Sequence, residues 1–301
     1  MEMTDLSISG ELAALLALLE GRKAVALTGA GCSTDSGIPD YRGPDGRLRR
    51  RTPMRYQEFV RSSEARARYW VRSAVGWPRF RRARPNGAHD GLARLEAAGY
   101  VSATLTQNVD ELHQAAGSRR VLDLHGSLSR VRCLDCGVVG SRDTVQERLL
   151  RLNPELGGVL DGEEQGTVRP DGDVDLPEGL ERNLAVPACR RCGGVLKPDV
   201  VFFGENVPAK RVERAWAHYR RADLVLVLGS SLTVYSGRRF VLQAVSDGKP
   251  VAIVNQGVTR GDENARVKVE GPVALVLDHA ARHLVGGRSR DAARPEPPAV
   301  P

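Results

Sequence analysis

Four of the five cysteines form two pairs that are typical of a zinc site. Cys133 and Cys136 make the first CxxC pair, Cys189 and Cys192 make the second, and a glycine follows each pair. Each pair places two sulfurs on a tight turn, and two such turns supply the four thiolates of a tetrahedral structural site. A redox CxxC is the alternative, but the second pair argues against it. We therefore predict one zinc ion that stabilises the fold and takes no part in the chemistry.

A glycine-rich turn after the first apolar run is suited to a nucleotide. Residues 29–42 read GAGCSTDSGIPDYR, so that Gly29, Ala30 and Gly31 follow the run KAVALT. Small residues in such a turn let backbone N–H groups approach a pyrophosphate. The dinucleotide fingerprint of dehydrogenases is incomplete, because Thr34 stands where its third small residue belongs. The turn indicates a nucleotide site of another kind, with a plain tight turn as the alternative.

Polar or small residues follow three later apolar runs in the same way. Ligands of open α/β sheets bind at the carboxyl ends of the strands, where these residues would lie. Each group alone could cap a helix, whereas the three together with the glycine turn predict a binding crevice. The groups are Gln107, Asn108, Val109 and Asp110, then Gly229, Ser230 and Ser231, then Asn255, Gln256 and Gly257.

His125 is the best candidate for a general base. It lies in VLDLHGS, after a short apolar run and before a glycine. A neutral imidazole titrates near the pH at which enzymes work and can accept a proton there. A buried histidine with only a structural role is the alternative, and the residue's immediate neighbours do not exclude it.

The elements that must position these residues form an α/β fold. Apolar runs with few charges alternate with segments of helical period, as in a parallel sheet covered by helices. We predict strands at 23–29, 101–107, 222–230, 249–257 and 272–278, and helices at 10–20, 87–98, 109–116, 207–221 and 237–247. The fold class is a Rossmann-like parallel sheet domain with a smaller zinc-binding and helical module inserted.

Two stretches interrupt this alternation, and we predict that they build the smaller module. One is rich in arginine, and the other carries the cysteine pairs around a centre rich in Gly, Asp, Glu and Pro. The final residues cannot build a core, so we expect a disordered tail. The predicted boundaries are 10–45, 87–130 and 196–285 for the Rossmann-like domain, 46–86 and 131–195 for the module, and 286–301 for the tail.

Composition limits the setting in which the protein works. In 301 residues, no apolar run approaches the roughly 20 that a membrane helix needs, and the N-terminus lacks a basic segment followed by an apolar one. Clustered cysteines that suit a metal fit a reducing compartment. We therefore predict a cytoplasmic protein with no membrane partner. The net charge of +7 comes almost wholly from arginine, since five of the 44 basic residues are lysines.

These motifs together resemble the sirtuins, the NAD-dependent protein deacylases. GAGCSTDSGIPDYR, TQNVDELH, LHG, the two CxxC pairs, KPDVVFFGE, GSSL and VNQG occur in the family's order, from about residue 10 to 285. The chain is most similar to bacterial-type members of the class II branch, which includes a mitochondrial lipoamidase and ADP-ribosyltransferase type. The resemblance to this branch rests on Tyr41, on the stretch RYWVRSAVGWPRF and on the long gap between the cysteine pairs. Cys32 departs from the usual Ile or Ala, and a small buried thiol would leave the turn intact.

The resemblance implies that the enzyme transfers the acyl group of an acyl-lysine to ADP-ribose and releases nicotinamide. His125 would be the general base on the ribose hydroxyls, and Asn108 and Asp110 would engage the ribose and carboxamide. Tyr41 would move in behind the departing nicotinamide and exclude water. The implied NAD residues are Gly29, Ala30, Gly31, Ser33, Asp40, Tyr41, Arg42, Gln107, Asn108, Val109, Asp110, Gly229, Ser230, Ser231, Asn255, Gln256, Gly257 and Val273.

The resemblance also implies how a protein substrate binds. One segment would pair with the substrate backbone as an added strand, and it comprises Val201, Phe202, Phe203, Gly204 and Glu205. Tyr69 and Arg72 have the Tyr-x-x-Arg spacing that places a phenol and a guanidinium in the acyl pocket of related sirtuins. Such an arginine would bind the terminal carboxylate of a succinyl or glutaryl chain. A packed Tyr69 beside a surface arginine is the alternative.

Two other functions remain open at this stage. Mono-ADP-ribosyl transfer would use the same cofactor, with a protein nucleophile in place of the acyl oxygen. A zinc-ribbon protein that binds nucleic acid is suggested by the basic runs at 47–51 and 79–85. We do not expect nucleic acid to be the partner, because those runs carry few aromatic residues for base stacking and leave His125 and Asn108 without a role.

Overall fold

The computed structural model describes residues 10–41, 53–161, 169–174, 176, 179 and 184–291. In this part of the chain six parallel strands form one sheet in the order β3-β2-β1-β7-β8-β9. If the six strands of this sheet are numbered along the chain, their order across the sheet is 3-2-1-4-5-6, which is the Rossmann order. The strands are β1 (Ala24–Thr28), β2 (Val101–Thr106), β3 (Val121–Asp123), β7 (Leu224–Leu228), β8 (Val251–Asn255) and β9 (Val267–Glu270). The predicted α/β class with a parallel sheet is confirmed.

Helices cover both faces of the sheet because alternate side chains of each strand point to opposite faces. Ala24 and Ala26 of β1 face one apolar core, whereas Val25 and Leu27 face the other. The first core is closed by α1 (Gly10–Leu19), α4 (Gly87–Ala97) and α10 (Val273–Asp291), and the second by α8 (Ala209–Arg220) and α9 (Tyr235–Ser246). Every residue of β1, β7 and β8 is buried, as the uncharged runs of the sequence indicated.

The predicted strand at 272–278 is wrong, because these residues begin α10. Its apolar run PVALVLD packs as one face of a helix, with Val273, Val276 and Leu277 in the core, and a run this short does not separate the two structures. The sixth strand is β9, whose sequence VKVE has two charged residues and carries a weak strand signal. The predicted helix at 109–116 is reduced to α5 (Leu112–Ala115).

A smaller module stands at one end of the sheet and contains a second, antiparallel sheet. Its described strands are β4 (Gly126–Cys133), β5 (Val139–Ser141) and β6 (Leu196–Val200), with β4 in the middle. Its helices are α2 (Tyr56–Arg61), α3 (Ser63–Arg82), α6 (Arg142–Leu152) and α7 (Leu156–Asp161). Its core is rich in aromatic residues, with Phe59 and Trp70 fully buried. Both predicted insertions therefore contribute to one core.

One loop of the long segment between the cysteine pairs packs against α3. A Cβ atom on Gly76 would lie 2.1 Å from the carbonyl oxygen of Gly172, so only glycine permits this approach. The loop, residues 169–174, includes the PDGDV stretch and reaches the edge of the cavity described below.

The ends of the predicted boundaries differ from the structure. Helix α10 continues to Asp291, so residues 286–291 of the predicted tail are helical, and the rest of that tail lies outside the described residues. Arg42 and the basic run at 47–51 also lie outside them. No helix among the described residues is both long and apolar enough to cross a membrane.

Candidate functional site

A cavity of about 620 Å³ opens at the carboxyl ends of β1, β2, β7 and β8, between the sheet and the smaller module. This is where the strand order reverses, between β1 and β7, and ligands of doubly wound sheets bind at such a switch point. The volume lies within the range of sites for cofactors and other small molecules.

Three glycines allow the strand ends beneath the cavity to touch. A Cβ atom on Gly29 would lie 2.7 Å from the carbonyl oxygen of Gly229, and a Cβ atom on Gly31 would lie 2.9 Å from the Cα atom of Gly229. A Cβ atom on Gly229 itself would lie 2.6 Å from the backbone nitrogen of Cys32. The amides of Gly29 and Gly31 donate to carbonyls of Leu228 and Gly229. These two amides are thus used within the protein, and close packing of β1 against β7 is what requires the glycines.

A network of polar side chains forms the cavity wall after β2. The Asn108 amide donates to the Gly29 carbonyl at 3.1 Å and to Ser33 Oγ at 3.0 Å. Ser33 Oγ donates in turn to Asp110 at 2.7 Å. Burial raises the pKa of the Asp110 carboxyl, while hydrogen bonds from Leu112 and Ser33 act against that rise. The network ties the glycine turn to the end of β2 and presents both an amide and a carboxylate.

His125 lies between β3 and β4, where the chain crosses from the large sheet into the module. Its Nδ1 is 2.9 Å from the Gln107 carbonyl oxygen, and its Nε2 is 2.7 Å from Ser236 Oγ. A carbonyl can only accept, so Nδ1 carries the proton and Nε2 is the unprotonated nitrogen. Burial lowers the pKa of His125 to about 4, although the bond to the Gln107 backbone acts in the opposite direction. The imidazole is therefore neutral at neutral pH.

The glycine of LHG is required for the turn after His125. Gly126 has a φ of +86°, and a Cβ atom there would lie 1.9 Å from the Asp199 carbonyl oxygen. The amide of Val201 donates to the His125 carbonyl at 2.8 Å. His125 and the segment Val201–Glu205 are thus held together by β4 and β6.

That segment forms another part of the cavity wall. The Phe202 amide donates to Glu205 Oε2 at 2.8 Å, and Lys197 Nζ lies 3.0 Å from the same oxygen. Lys197 is 4% exposed and also donates to the Val200 carbonyl. The side chain of Phe203 meets the Tyr41 ring edge-on, with 5.9 Å between ring centroids. Tyr41 is thus in contact with this segment in the wall of the cavity.

Asn86 holds the glycine-rich loop, residues 29–41, by hydrogen bonds to its backbone and side chains, and the sequence patterns did not reveal this residue. Its Nδ2 donates to the Cys32 carbonyl and to Ser36 Oγ, both at 2.9 Å. Its Oδ1 accepts from the Ala88 amide at 2.8 Å and caps α4. The Cys32 side chain is buried, and burial raises the pKa of its thiol to about 12, which agrees with an inert thiol.

Most of the predicted site residues line this one cavity. They are Gly29, Ala30, Gly31, Ser33, Asp40, Tyr41, Gln107, Asn108, Val109, Asp110, His125, Val201, Phe202, Phe203, Gly204, Glu205, Gly229, Ser230, Ser231, Asn255, Gln256 and Val273.

Three predicted residues are not in the described wall. The Gly257 amide turns away to donate to Glu270. Tyr69 is 4% exposed and packs against Phe59 and Phe202, and Arg72 is half-buried on the same helix. Their role in an acyl pocket stays a prediction.

Several wall residues carried no recognisable sequence signal. Ser236 and Arg239 come from the first turns of α9, and Pro170 and Asp171 come from the loop that packs on Gly76. Ser236 contacts His125 over 111 residues of chain, a distance that no local pattern spans. Only the start of α9 just after the GSSL turn could have drawn attention to it.

The four paired cysteines come together at the end of the module, as predicted. Their sulfur atoms all lie within 4.8 Å of one another, with 3.5 Å from Cys133 to Cys192 and 3.8 Å from Cys136 to Cys189. Zinc–sulfur bonds of about 2.3 Å in a tetrahedron place sulfurs about this far apart. The glycines after the two pairs have φ of +71° and +76°. The residues present fit a closed zinc site.

Comparison with known proteins agrees with this site. The model of the Sir2 family matches residues 29–236. An NAD-dependent protein deacetylase of Xanthomonas axonopodis pv. citri is 53% identical over 265 residues, covering 87% of this chain and 89% of that protein. NAD-dependent protein deacetylase 1 of Streptomyces coelicolor is 51% identical over 283 residues, covering 94% and 93%.

Solved structures share both fold and sequence with the chain. A structure described as the basis for the mechanism and regulation of Sir2 enzymes has a TM-score of 0.72 at 32% identity, covering 92% of this chain and 99% of that one. A Sir2 complex with a p53 peptide and NAD+ has a TM-score of 0.67 at 31% identity, covering 93% and 99%. A Sir2 variant with a deacetylated p53 peptide and 3'-O-acetyl-ADP-ribose has a TM-score of 0.70 at 32% identity, covering 90% and 97%.

Proposed function

The chain belongs to the Sir2 family, and from this premise we propose how its own residues carry out NAD-dependent deacetylation of protein lysines. The observation that carries the proposal is the neutral His125 in the wall of the switch-point cavity, beside the segment Val201–Glu205. NAD supplies the ADP-ribose that accepts the acyl group, with nicotinamide as the leaving group. The other steps belong to side chains of the protein.

The polar network after β2 is our candidate for holding and orienting NAD. Asn108, Ser33 and Asp110 offer donors and acceptors at fixed positions, and the Asn108 amide is itself held by the Gly29 carbonyl. Such fixed groups orient a substrate without the entropy cost of ordering flexible side chains. Ser230, Ser231 and Asn255, at the ends of β7 and β8, extend the polar wall.

His125 is our candidate for the general base on a ribose hydroxyl. Its Nδ1–H is fixed by the Gln107 carbonyl, so the unprotonated Nε2 is the atom that takes a proton. Because burial lowers the pKa of His125 to about 4, the base is deprotonated across the neutral range. As pH falls through that pKa the base becomes protonated, so activity is lost in acid and not near pH 6.5.

The segment Val201–Glu205 is our candidate for the substrate strand, and Tyr41 for the group that shuts out water. Phe202 and Phe203 offer apolar walls to the aliphatic stem of an acyl-lysine. Burial raises the pKa of the Tyr41 phenol well above its usual value, so this side chain stays neutral beside a reaction that develops positive charge. Water excluded from this part of the cavity cannot compete with the acyl oxygen.

The two alternative functions gain no support from the site. ADP-ribosyl transfer would need a protein nucleophile, whereas one similar Sir2 structure holds a deacetylated peptide and acetyl-ADP-ribose. A nucleic-acid protein would leave the neutral His125 and the polar wall without use. Deacetylation is the function that uses all of these features.

The acyl preference is a separate proposal. Tyr69 and Arg72 lie one turn apart on α3 and remain our candidates for binding a carboxylate at the end of the acyl chain. Arg72→Met should then lower activity on succinyl-lysine peptides by about tenfold or more, since a charged hydrogen bond contributes about 1.5–3 kcal/mol, and spare acetyl-lysine. Equal losses on both peptides would remove Arg72 from the site.

The direct test of function is incubation of the purified protein with NAD and a panel of acyl-lysine peptides, with all product masses recorded. Deacetylation predicts an unmodified lysine, free nicotinamide and O-acetyl-ADP-ribose in equal amounts. ADP-ribose attached to the peptide would support the transferase alternative instead. An acetyl peptide and NAD that both stay unchanged would refute the proposed function.

A further inference from the structure

The hydrogen bond between Ser236 and His125 occupies the atom that the base needs. Nδ1 carries the imidazole proton, because its partner is the Gln107 carbonyl. Nε2 therefore has one lone pair, and the Ser236 hydroxyl donates to it at 2.7 Å. A neutral imidazole nitrogen accepts one strong hydrogen bond at a time. A substrate hydroxyl and Ser236 must compete for the same lone pair.

The backbone around Ser236 is fixed, so only its side chain is free to give way. Ser236 is the second residue of α9, and its carbonyl accepts from Arg239 Nε at 3.1 Å. A Cβ atom on the next residue, Gly237, would lie 2.8 Å from Gln107 Oε1. The first turn of α9 thus packs directly on the residue that holds the other side of the imidazole. Rotation of one serine rotamer is enough to open the contact.

We propose that Ser236 is a gate on the catalytic base: its hydroxyl closes Nε2 of His125, and a ribose hydroxyl of the bound NAD must displace it before proton transfer. This inference rests on the proposed role of His125. Ser236 is a positioning residue in this account, since it acts through His125. Nothing is oxidised or reduced, and one hydrogen-bond donor replaces another on the same nitrogen.

Burial, together with the positive charges nearby, lowers the pKa of His125 and keeps the imidazole neutral. The charged groups that act on His125 are Arg211 of α8 and Arg239 of α9, while Asp110 and Glu205 line the same cavity. A neutral ring accepts from the Ser236 hydroxyl at Nε2, whereas a protonated ring would donate to the same hydroxyl oxygen. The contact therefore occupies the Nε2 lone pair only while the ring is neutral, and removing the Ser236 hydroxyl should free Nε2 for NAD.

The test compares Ser236→Ala with Ser236→Thr, which keeps the hydroxyl, and with Ser246→Ala, an exposed serine at the far end of the same helix. Histidine ring nitrogen signals are recorded by NMR at neutral pH in the protein without NAD, and the His125 signals are assigned by their loss in His125→Asn. We expect the signal of the unprotonated Nε2 to shift in Ser236→Ala, because this nitrogen loses its hydrogen-bond donor, while Nδ1 stays protonated. Ser236→Thr and Ser246→Ala should give the parent's signals.

Calorimetry of NAD binding is the second readout. Ser236→Ala should bind NAD about two- to tenfold more tightly, because no hydrogen bond has to be displaced, whereas a serine that only supports the structure would weaken binding when removed. An unchanged Nε2 signal in Ser236→Ala, or a Ser236→Thr that behaves like Ser236→Ala, overturns the gate. Neither readout requires turnover, so a parent protein without deacetylase activity would refute the proposed function alone.

Discussion

At the scale of single residues, His125 is defined by what surrounds each of its nitrogens. A carbonyl fixes the proton on Nδ1 and leaves Nε2 as the acceptor. The sequence predicts a general base at His125 because LHG belongs to an ordered set of motifs, with a structural histidine as the open alternative, and that role stays a prediction. Ser236 was missed because its contact with His125 exists only once the first turn of α9 has packed against Gln107. The candidate base could thus be named from the sequence, and only the fold shows what holds its ring.

The first prediction concerns this base. His125→Asn should fold and bind NAD, since the substituted side chain is smaller and polar, but should lose deacetylation by at least about 100-fold, the usual scale for a missing general base. Turnover is measured on an acetyl-lysine peptide and NAD binding by calorimetry. Activity within a few-fold of the parent would return His125 to a structural role.

The second prediction concerns three buried neutral histidines. Burial lowers the pKa of His89 to about 4, of His113 to about 3 and of His125 to about 4, from 6.5. Such groups stabilise the fold above pH 6.5, and this stability is lost as pH falls from 6.5 towards the folded pKa values, because the unfolded chain binds the protons. Each histidine contributes a slope of about 1.4 kcal/mol per pH unit in that window.

The test of this prediction must separate the histidines from carboxyl groups. Burial raises the pKa of Asp173 to about 8, so that carboxyl gives a slope of opposite sign. The free energy of unfolding should therefore be measured from about pH 6 to about pH 5 in the parent and in His113→Gln. The slope of this free energy against pH counts the protons taken up on unfolding, and we expect the variant to take up about one proton fewer. Equal slopes in the two proteins would show that His113 is not held neutral.

At the scale of elements, the strands β1, β2, β7 and β8 were predictable because each is an uncharged run that ends in polar or small residues. The strand predicted at 272–278 failed for a physical reason. The run PVALVLD is apolar enough for a buried strand or for a buried helix. It forms the start of helix α10 because the apolar face of that helix continues through Ala280, Ala281 and Leu284. The strands β3 and β9 are too short to show a period. Their places depend on pairing with β2 and β8.

The third prediction concerns Asn86, which joins the start of α4 to the glycine-rich loop, residues 29–41. Asn86→Ala removes two hydrogen bonds to the loop and the cap of α4. We expect KM for NAD to rise about three- to tenfold, with KM for the peptide unchanged, and stability to fall by about 1 kcal/mol, as for other lost N-caps. Steady-state kinetics with each substrate varied in turn measure this.

Lys197→Met provides the matched comparison on the other side of the cavity. Lys197 supports the segment Val201–Glu205 through Glu205 and the Val200 carbonyl. Its loss should raise KM for the peptide and leave KM for NAD near the parent value. If both variants raise the two KM values alike, the loop and the segment are not separate supports, and the prediction is wrong.

At the scale of the whole molecule, the described residues form a sheet domain with an apolar core on each face and a smaller module with a third core. His125 lies at one point where the chain passes from the sheet domain into the module. The parallel sheet covered by helices was predictable from the alternation of strands and helices, and the zinc site from the cysteine spacing, whereas the strand order was not predicted. The sequence predicted that the two distant insertions form one module only because both interrupt the alternation of strands and helices. The basis of that module, aromatic packing of α2 and α3 against β4 and β6, depends on long-range contacts that composition does not reveal.

The fourth prediction concerns the zinc. Cys189→Ala should lose about one zinc ion per chain and much of its thermal stability, because a structural zinc contributes folding free energy directly. Metal content is measured by atomic absorption and stability by thermal unfolding. Cys32→Ala, which changes a cysteine outside the cluster, should keep its metal. Full stability without metal in Cys189→Ala would contradict a structural role.

The most direct test of the central claim is the mass balance of one reaction, with parent and His125→Asn compared at equal folded concentration. For the parent, each acetyl-lysine peptide that loses its acetyl group should yield one nicotinamide and one O-acetyl-ADP-ribose, and His125→Asn should bind NAD without forming the ester. A parent reaction that releases nicotinamide while the acetyl-lysine stays intact, or a His125→Asn that forms the ester at the parent's rate, would contradict the account.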